Sequence, residues 1–269
     1  MGVLNVTPDS FSDGGQFLDP DTAVRHAQEM VAAGATVIDI GGESTRPGSQ
    51  PVAPEEQIKR VVRVVRGLAG RVSAIISIDT SRAAVAEAAL DAGAKLVNDI
   101  FAGRDDPDLL PLVARRGVPL ILMHMQGRPA TMQASPTYSD VTAEVIAFLR
   151  ERVAAAEAAG IDRRRLLIDP GIGFGKSVEH NFELLRRLAE LRSLGLPIVI
   201  GTSRKGFIGK ITGETAESGR PFGTAATVAW SVANGADLVR VHDVAPMAQV
   251  VRMIGAIQRR ATLDFPGFT

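Results

Sequence analysis

Eight short aliphatic runs recur along the 269-residue chain, each followed by an Ala-rich amphipathic stretch. The runs are GVLNV, TVIDIGG, AIISIDT, KLVNDI, VPLILMH, RLLIDPG, LPIVIGTS and DLVRVHD. Near-continuous apolar strands alternating with helices are what a parallel sheet covered by helices requires. Helical periodicity predicts helices over Thr22–Ala33, Pro54–Leu68, Arg82–Asp91, Val178–Leu194 and Ala245–Arg260. Gly34, Gly93, Gly117, Gly160, Gly195 and Gly235 each fall between a helix and the next strand, where a left-handed residue ends the helix. Eight units without a linker or a change of composition predict one α/β domain over residues 1–269, a (β/α)8 TIM barrel. An open doubly wound sheet would usually need only about five or six strands.

The strands stay apolar until they end in a polar residue: Asn5, Asp39, Asp79, Asn98, His124, Asp169, Ser203-Arg204-Lys205, and Arg240 with His242. In a barrel those ends converge on the face where active sites are built. Arg240 and His242 are two apart and share a side; Asp39 shares one with Val37, leaving Ile38 and Ile40 for the helices. A single strand-end Asp is often only a cap for the following turn, and Asp99, of opposite parity to Asn98, is read that way. His124 is read as structural, and Met123 and Met125 as wall and packing residues. Carboxylates at 39, 79 and 169 facing Lys205 and Arg240 imply mutual pairing or a ligand, because isolated buried charge is costly.

Lys plus Arg and Asp plus Glu each number 30, and no basic stripe is visible, which argues against nucleic acid as a partner. With no cysteine, disulfides and thiolate metal sites are excluded. No run of membrane-spanning length and no signal peptide is seen, so the expectation is a cytoplasmic protein without a membrane partner.

DPGIGFGKS, Asp169–Ser177, ends like a nucleotide-phosphate loop, but the leading glycine position holds Pro170. Its Lys176-Ser177 is read as the entry to a helix. The segments Asn5–Gly15 and Gly41–Pro51 are rich in Gly, Ser, Thr, Pro and Asp and follow the first two strands, where such connections act as lids or clamps. No nucleophile elbow or histidine triad is present. Carboxylates and an amide suit a flat, nitrogen-rich molecule, and a cationic end suits phosphate. An oxygen ligand such as Asn5 suits a hard cation like Mg2+, which keeps most of its waters and binds substrate phosphates. The chemistry suggested is substitution at a carbon bearing a diphosphate.

Taken in order, GVLNVTPDSFSDGG, VIDIGGESTRPG, ISIDT, VNDI, MHMQG with TMQ, DPGIGFGK, TSRKGFIG and RVHDV cover nearly the whole chain. Together they resemble the dihydropteroate synthases. The resemblance implies a (β/α)8 barrel, a homodimer, and condensation of p-aminobenzoate with 6-hydroxymethyl-7,8-dihydropterin diphosphate. It implies a pterin pocket of Asp79, Asn98, Asp169 and Lys205, with Ile100 and Met123 as walls and Arg240 stacked on the ring. Asp39 is counted with the substrate-binding set and, with Arg204, as support for it. The anion site is implied at Asn5, Arg46, Arg240 and His242, with Mg2+ on Asn5. Thr45, Pro47, Phe174, Ser203 and Lys205 would shape the aminobenzoate site, Phe11 would close it, and Asp13 would orient or deprotonate the arylamine. Two features depart from the family pattern: the first motif begins almost at once, and Gly206 stands where Ser is common.

Overall fold

The computed structural model describes residues 1–7, 20–44 and 52–258. Strands β1 (Gly2–Asn5), β2 (Val37–Gly41), β3 (Ile75–Asp79), β4 (Leu96–Asp99), β5 (Leu120–Met123) and β6 (Leu166–Asp169) pair in parallel, in chain order. A further parallel pair is β7 (Val199–Ile200) with β8 (Leu238–Val239). Single bridges join the two sheets at both seams, Ile168 to Ile198 and Gly2 to Val241. The second seam is reinforced by Val3 N–H to Val241 O at 3.0 Å and Val241 N–H to Met1 O at 2.9 Å. The eight strands therefore follow one another around a closed parallel ring, as the repeat predicts.

Nine α-helices surround this ring among the described residues. They are α1 (Pro20–Ala32), α2 (Pro54–Leu68), α3 (Ala83–Ala92), α4 (Leu109–Arg116), α5 (Val141–Ala158), α6 (Val178–Arg186), α7 (Gly206–Thr212), α8 (Pro221–Ala233) and α9 (Val244–Gln258). All six glycines expected at helix-to-strand junctions have positive φ, from 61° at Gly117 to 121° at Gly93.

Two elements differ from the sequence expectation. The helix expected over Val178–Leu194 stops at Arg186 and resumes as a 3-10 segment, Leu188–Leu194. Leu188, Leu191 and Leu194 are its buried residues, and a spacing of three suits the 3-10 repeat better than the α repeat. Between β7 and β8 there are two helices rather than one. Gly213, left-handed at φ 78°, closes α7, and Pro221, at a first-turn position that needs no N–H, opens α8.

Strand parity decides the site. Val37, Ile75, Leu96, Ile121, Leu167, Val199 and Leu238, one from each of seven strands, form one apolar cluster with Met1 just ahead of β1. This is the plug at the amino-terminal end of the barrel interior. Residues of the opposite parity, such as Ile38, Ile40, Ile76 and Ile78, belong to the larger core shared with the helices. Two residues further along, the interior positions become Asp39, Ser77, Asn98, Met123, Asp169 and Arg240, with Val3 and Gly201 in the two remaining rows. The plug thus forms an apolar floor, and the polar groups begin one step above it.

Candidate active site

Above the floor lies a cavity of about 880 Å³. Asn5, Asp79, Asn98, Ile100, Met123, Asp169, Phe174, Ser203, Lys205, Arg240 and His242 all line it, so residues separated by up to 237 positions are brought together. Phe11, Asp13, Thr45, Arg46 and Pro47 lie outside the described residues.

Arg240 organises the base of the cavity. Its Nε donates to Asp39 Oδ2 at 2.7 Å and its Nη2 to Asp79 Oδ2 at 2.8 Å. Asp39 is fully buried and also accepts from Asn98 Nδ2 at 3.0 Å. It does not line the cavity, so its expected direct contact with substrate is replaced by a place beneath Asn98 and Arg240. Because a carboxylate only accepts, Asn98 must turn its NH2 towards Asp39, which leaves its oxygen for a ligand N–H. Arg240 is held by the two carboxylates as one member of a network, and burial, which opposes its charge, is outweighed by Asp39 and Asp79.

Asp79 is pushed above the usual carboxylate range by burial, with Arg240 opposing the shift. Asp169 is raised to about 6, again chiefly by burial. Its Oδ1 accepts from Gly171 N–H at 2.7 Å, leaving Oδ2 for a ligand. Asp99, by contrast, accepts from Phe101 N–H at 2.8 Å and Gly103 N–H at 2.5 Å. It caps the turn after β4, as its parity suggests.

The apolar wall is a cluster of Ile100, Met123, Met125 and Met132 with Phe101 and Phe174 packed on it. Lys205 Nζ stands 4.0 Å from the centre of the Phe174 ring, a cation–π contact. Burial lowers Lys205 to about 8, with Arg240 adding to the shift.

His242, expected in the anion site, is a neutral group: burial, then the charge of Arg240, lowers it to about 3. Ser203 Oγ accepts from His242 N–H at 3.2 Å and lies 3.1 Å from its Nδ1. With the hydroxyl donating to Nδ1, the imidazole proton stays on Nε2, so His242 offers a hydrogen bond rather than a counter-charge.

The glycine phrase is also corrected at one position. Ser177 caps α6, accepting from His180 N–H at 3.1 Å, with His180 Nδ1 returning the bond to Ser177 N–H. Lys176 is more than helix punctuation. It is only 2% exposed, and its Nζ lies 2.9 Å from Gly171 O, 3.0 Å from Phe174 O and 2.9 Å from His124 Nδ1. His124 is buried against the Phe148 ring edge at 4.8 Å, a packing role. No periodicity distinguishes a buried lysine from a solvated one at a helix entry, which is why sequence reading missed it.

A family model described as pterin binding enzyme matches residues 1–242. A dihydropteroate synthase of Synechocystis sp. is 46% identical over 259 residues, covering 96% of this chain and 90% of the relative. The chain belongs to the dihydropteroate synthase family. Among solved structures of that family, the Yersinia pestis dihydropteroate synthase in a sulfonamide drug complex superposes with a TM-score of 0.92. It shares 44% identity and covers 96% of this chain and 94% of its own. The Xanthomonas albilineans dihydropteroate synthase in complex with 7,8-dihydropteroate gives a TM-score of 0.86 at 43% identity, covering 97% of this chain and 93% of its own. These dihydropteroate synthase structures and the closed ring agree on the (β/α)8 barrel.

The donor set bears on the metal the family implies. Among the described residues no group of three His, Asp or Glu could hold an ion. Asn5 supplies one neutral amide oxygen at the cavity wall. This fits a hydrated Mg2+ carried largely by a phosphate ligand, and does not fit a tightly caged resident metal. No helix among the described residues is long and apolar enough to cross a membrane.

Proposed function

We propose that this chain joins p-aminobenzoate to 6-hydroxymethyl-7,8-dihydropterin diphosphate, giving 7,8-dihydropteroate and diphosphate. The observation that carries this reading is one cavity with a carboxylate-amide base and a cationic upper wall. The carbon–oxygen bond to diphosphate breaks, the arylamine nitrogen forms the new carbon–nitrogen bond, and the nitrogen then loses a proton.

Asp169 Oδ2 and Asn98 Oδ1 receive N–H groups of the pyrimidine edge, while Ile100 and Met123 cover the ring. Arg240, fixed by Asp39 and Asp79, presents a flat guanidinium face to the pterin. Asp79 stabilises positive charge developing on the pterin as the diphosphate departs. Arg240 and the Nε2–H of His242 receive the departing negative charge. Asn5 would hold Mg2+, which supplies Lewis-acid neutralisation of the diphosphate when bound. Lys205, Ser203 and Phe174 flank the aminobenzoate, with Thr45, Pro47, Phe11 and Asp13 assigned to the same end, and Arg46 to the anion site, by resemblance. A neutral arylamine attacking a delocalised cation needs no strong base, consistent with the lack of a histidine–carboxylate pair among the described residues that line the cavity.

Exposed apolar side chains on neighbouring helices, Phe222 and Trp230 on α8 and Met253 on α9, support a homodimer. A single domain over residues 1–269 in the cytoplasm, with small-molecule substrates and no nucleic-acid or membrane partner, completes the reading.

The test is Mg2+-dependent release of diphosphate when both substrates are mixed with folded protein. No turnover overturns the synthase reading. A Schiff-base aldolase acting through Lys205 would instead be trapped by borohydride with a carbonyl substrate.

A further inference from the structure

Arg204 is one of only two described non-glycine residues with positive φ, at 59°. A side chain in this region is strained unless its surroundings hold it there. Here the backbone N–H, the carbonyl and two of the three guanidinium nitrogens are held. Its N–H donates to Thr224 Oγ1 at 3.2 Å, and its carbonyl accepts from Arg220 Nη1 at 2.8 Å. Its Nε and Nη2 donate to the two oxygens of Asp243 at 3.1 and 2.6 Å.

The neighbours give the strain a purpose. Ser203 and Lys205 flank Arg204, and all three residues line the cavity, although the Arg204 guanidinium is turned to Asp243. An extended chain would put residues 203 and 205 on one side and 204 on the other only while the strand continued. β7 has already ended at Ile200, so the kink at Arg204 has to set these directions instead. Two contacts then tie this turn to the segment between β8 and α9 at successive residues: Ser203 with His242, and Arg204 with Asp243. Arg204 and Asp243 are about one-third exposed, and pairs so exposed add little stability. Stability alone therefore does not account for a strained arginine where glycine would fit.

We propose that Arg204 is a positioning residue: its left-handed turn, braced by Asp243, Thr224 and Arg220, holds Ser203 and Lys205 in fixed relation to Arg240 and His242. The brace links the arylamine wall to the leaving-group wall. It deepens the synthase reading and rests on it.

The test separates strain from positioning. Arg204→Gly removes the brace but adopts positive φ freely, so its Tm stays within about 2 °C of wild type. Its kcat/KM for p-aminobenzoate falls roughly tenfold or more, while KM for the pterin diphosphate changes less than about threefold. Arg204→Lys keeps the charge without the two-pronged fork and recovers only part of the loss. Asp243→Asn follows the glycine variant, and the double variant is no worse than the poorer single one. Wild-type kinetics in a stably folded Arg204→Gly protein overturn the inference, as do additive losses in the double variant. If wild type shows no turnover, the synthase reading fails and the brace is read without substrate. Amide hydrogen exchange at residues 203–205 is then expected to rise roughly tenfold in Arg204→Gly, and unchanged exchange overturns it.

Discussion

Lys176 Nζ lies 2.9 Å from Nδ1 of His124, with both side chains buried behind the glycine turn of DPGIGFGKS. Two carbonyls, Gly171 O and Phe174 O, complete the surroundings of the amine. An ammonium can donate to all three partners if His124 carries its proton on Nε2. A neutral amine donates to the two carbonyls and accepts from an Nδ1–H. The cluster keeps every hydrogen bond in both states, provided the histidine changes tautomer. Burial, with Lys205 adding to it and Asp169 opposing, lowers Lys176 from 10.5 to about 7, and His124, lowered to about 2, stays neutral throughout. The 15N shifts of His124 are expected to report a switch from the Nε2–H to the Nδ1–H form as Lys176 loses its proton near neutral pH.

The same shift has a signature in stability. Between pH about 7 and 10 the unfolded lysine keeps a proton that the folded one releases, so stability rises with pH across this window. Relative to Lys176→Met, wild type is expected to gain on the order of 2–4 kcal/mol between neutral pH and pH ~9.5. Urea unfolding at the two pH values measures it; a flat or falling difference would contradict the assignment.

Glycine at 175 is required by space as well as by φ, which is 60°. A Cβ there would collide with the Gln126 carbonyl, and one at Gly171 with the His124 carbonyl. Gly117 has a similar φ of 61° but nothing within 4 Å of the added atom. Gly117→Ala should cost about 1 kcal/mol and Gly175→Ala more than about 3 kcal/mol, by denaturant unfolding. Equal costs would mean that the turn is not clamped to the strand-five loop.

Removing Arg240 strands a fully buried Asp39 and leaves Asp79 without its partner. Arg240→Met is therefore expected to destabilise by about 3–5 kcal/mol, and adding Asp39→Asn should recover part of that. If the second substitution makes matters worse in urea unfolding, the pairing of Asp39 with Arg240 is not what stabilises the base of the cavity.

Asp79 is assigned to charge developing during the reaction, so its loss should fall on kcat. Asp79→Ala is expected to lower kcat by roughly 100-fold while pterin affinity, read by calorimetry, changes by less than about tenfold. Equal losses in both would refute the role.

The sequence by itself determined the number of strand–helix units, the facing of residues on the second, fourth and eighth strands, and which ends carry Asp79, Asn98, Asp169 and Arg240. These are local properties: a period of two assigns a face and a glycine ends a helix wherever the strand later sits. Only the tertiary structure decided that Arg240 grips Asp39 and Asp79, partners 201 and 161 residues away, because closing the ring sets β8 beside β1. It likewise made His242 neutral, buried Lys176 and paired Arg204 with Asp243. Charge state, burial and pairing depend on what surrounds a side chain in space, and those surroundings are assembled from all eight strand ends at once.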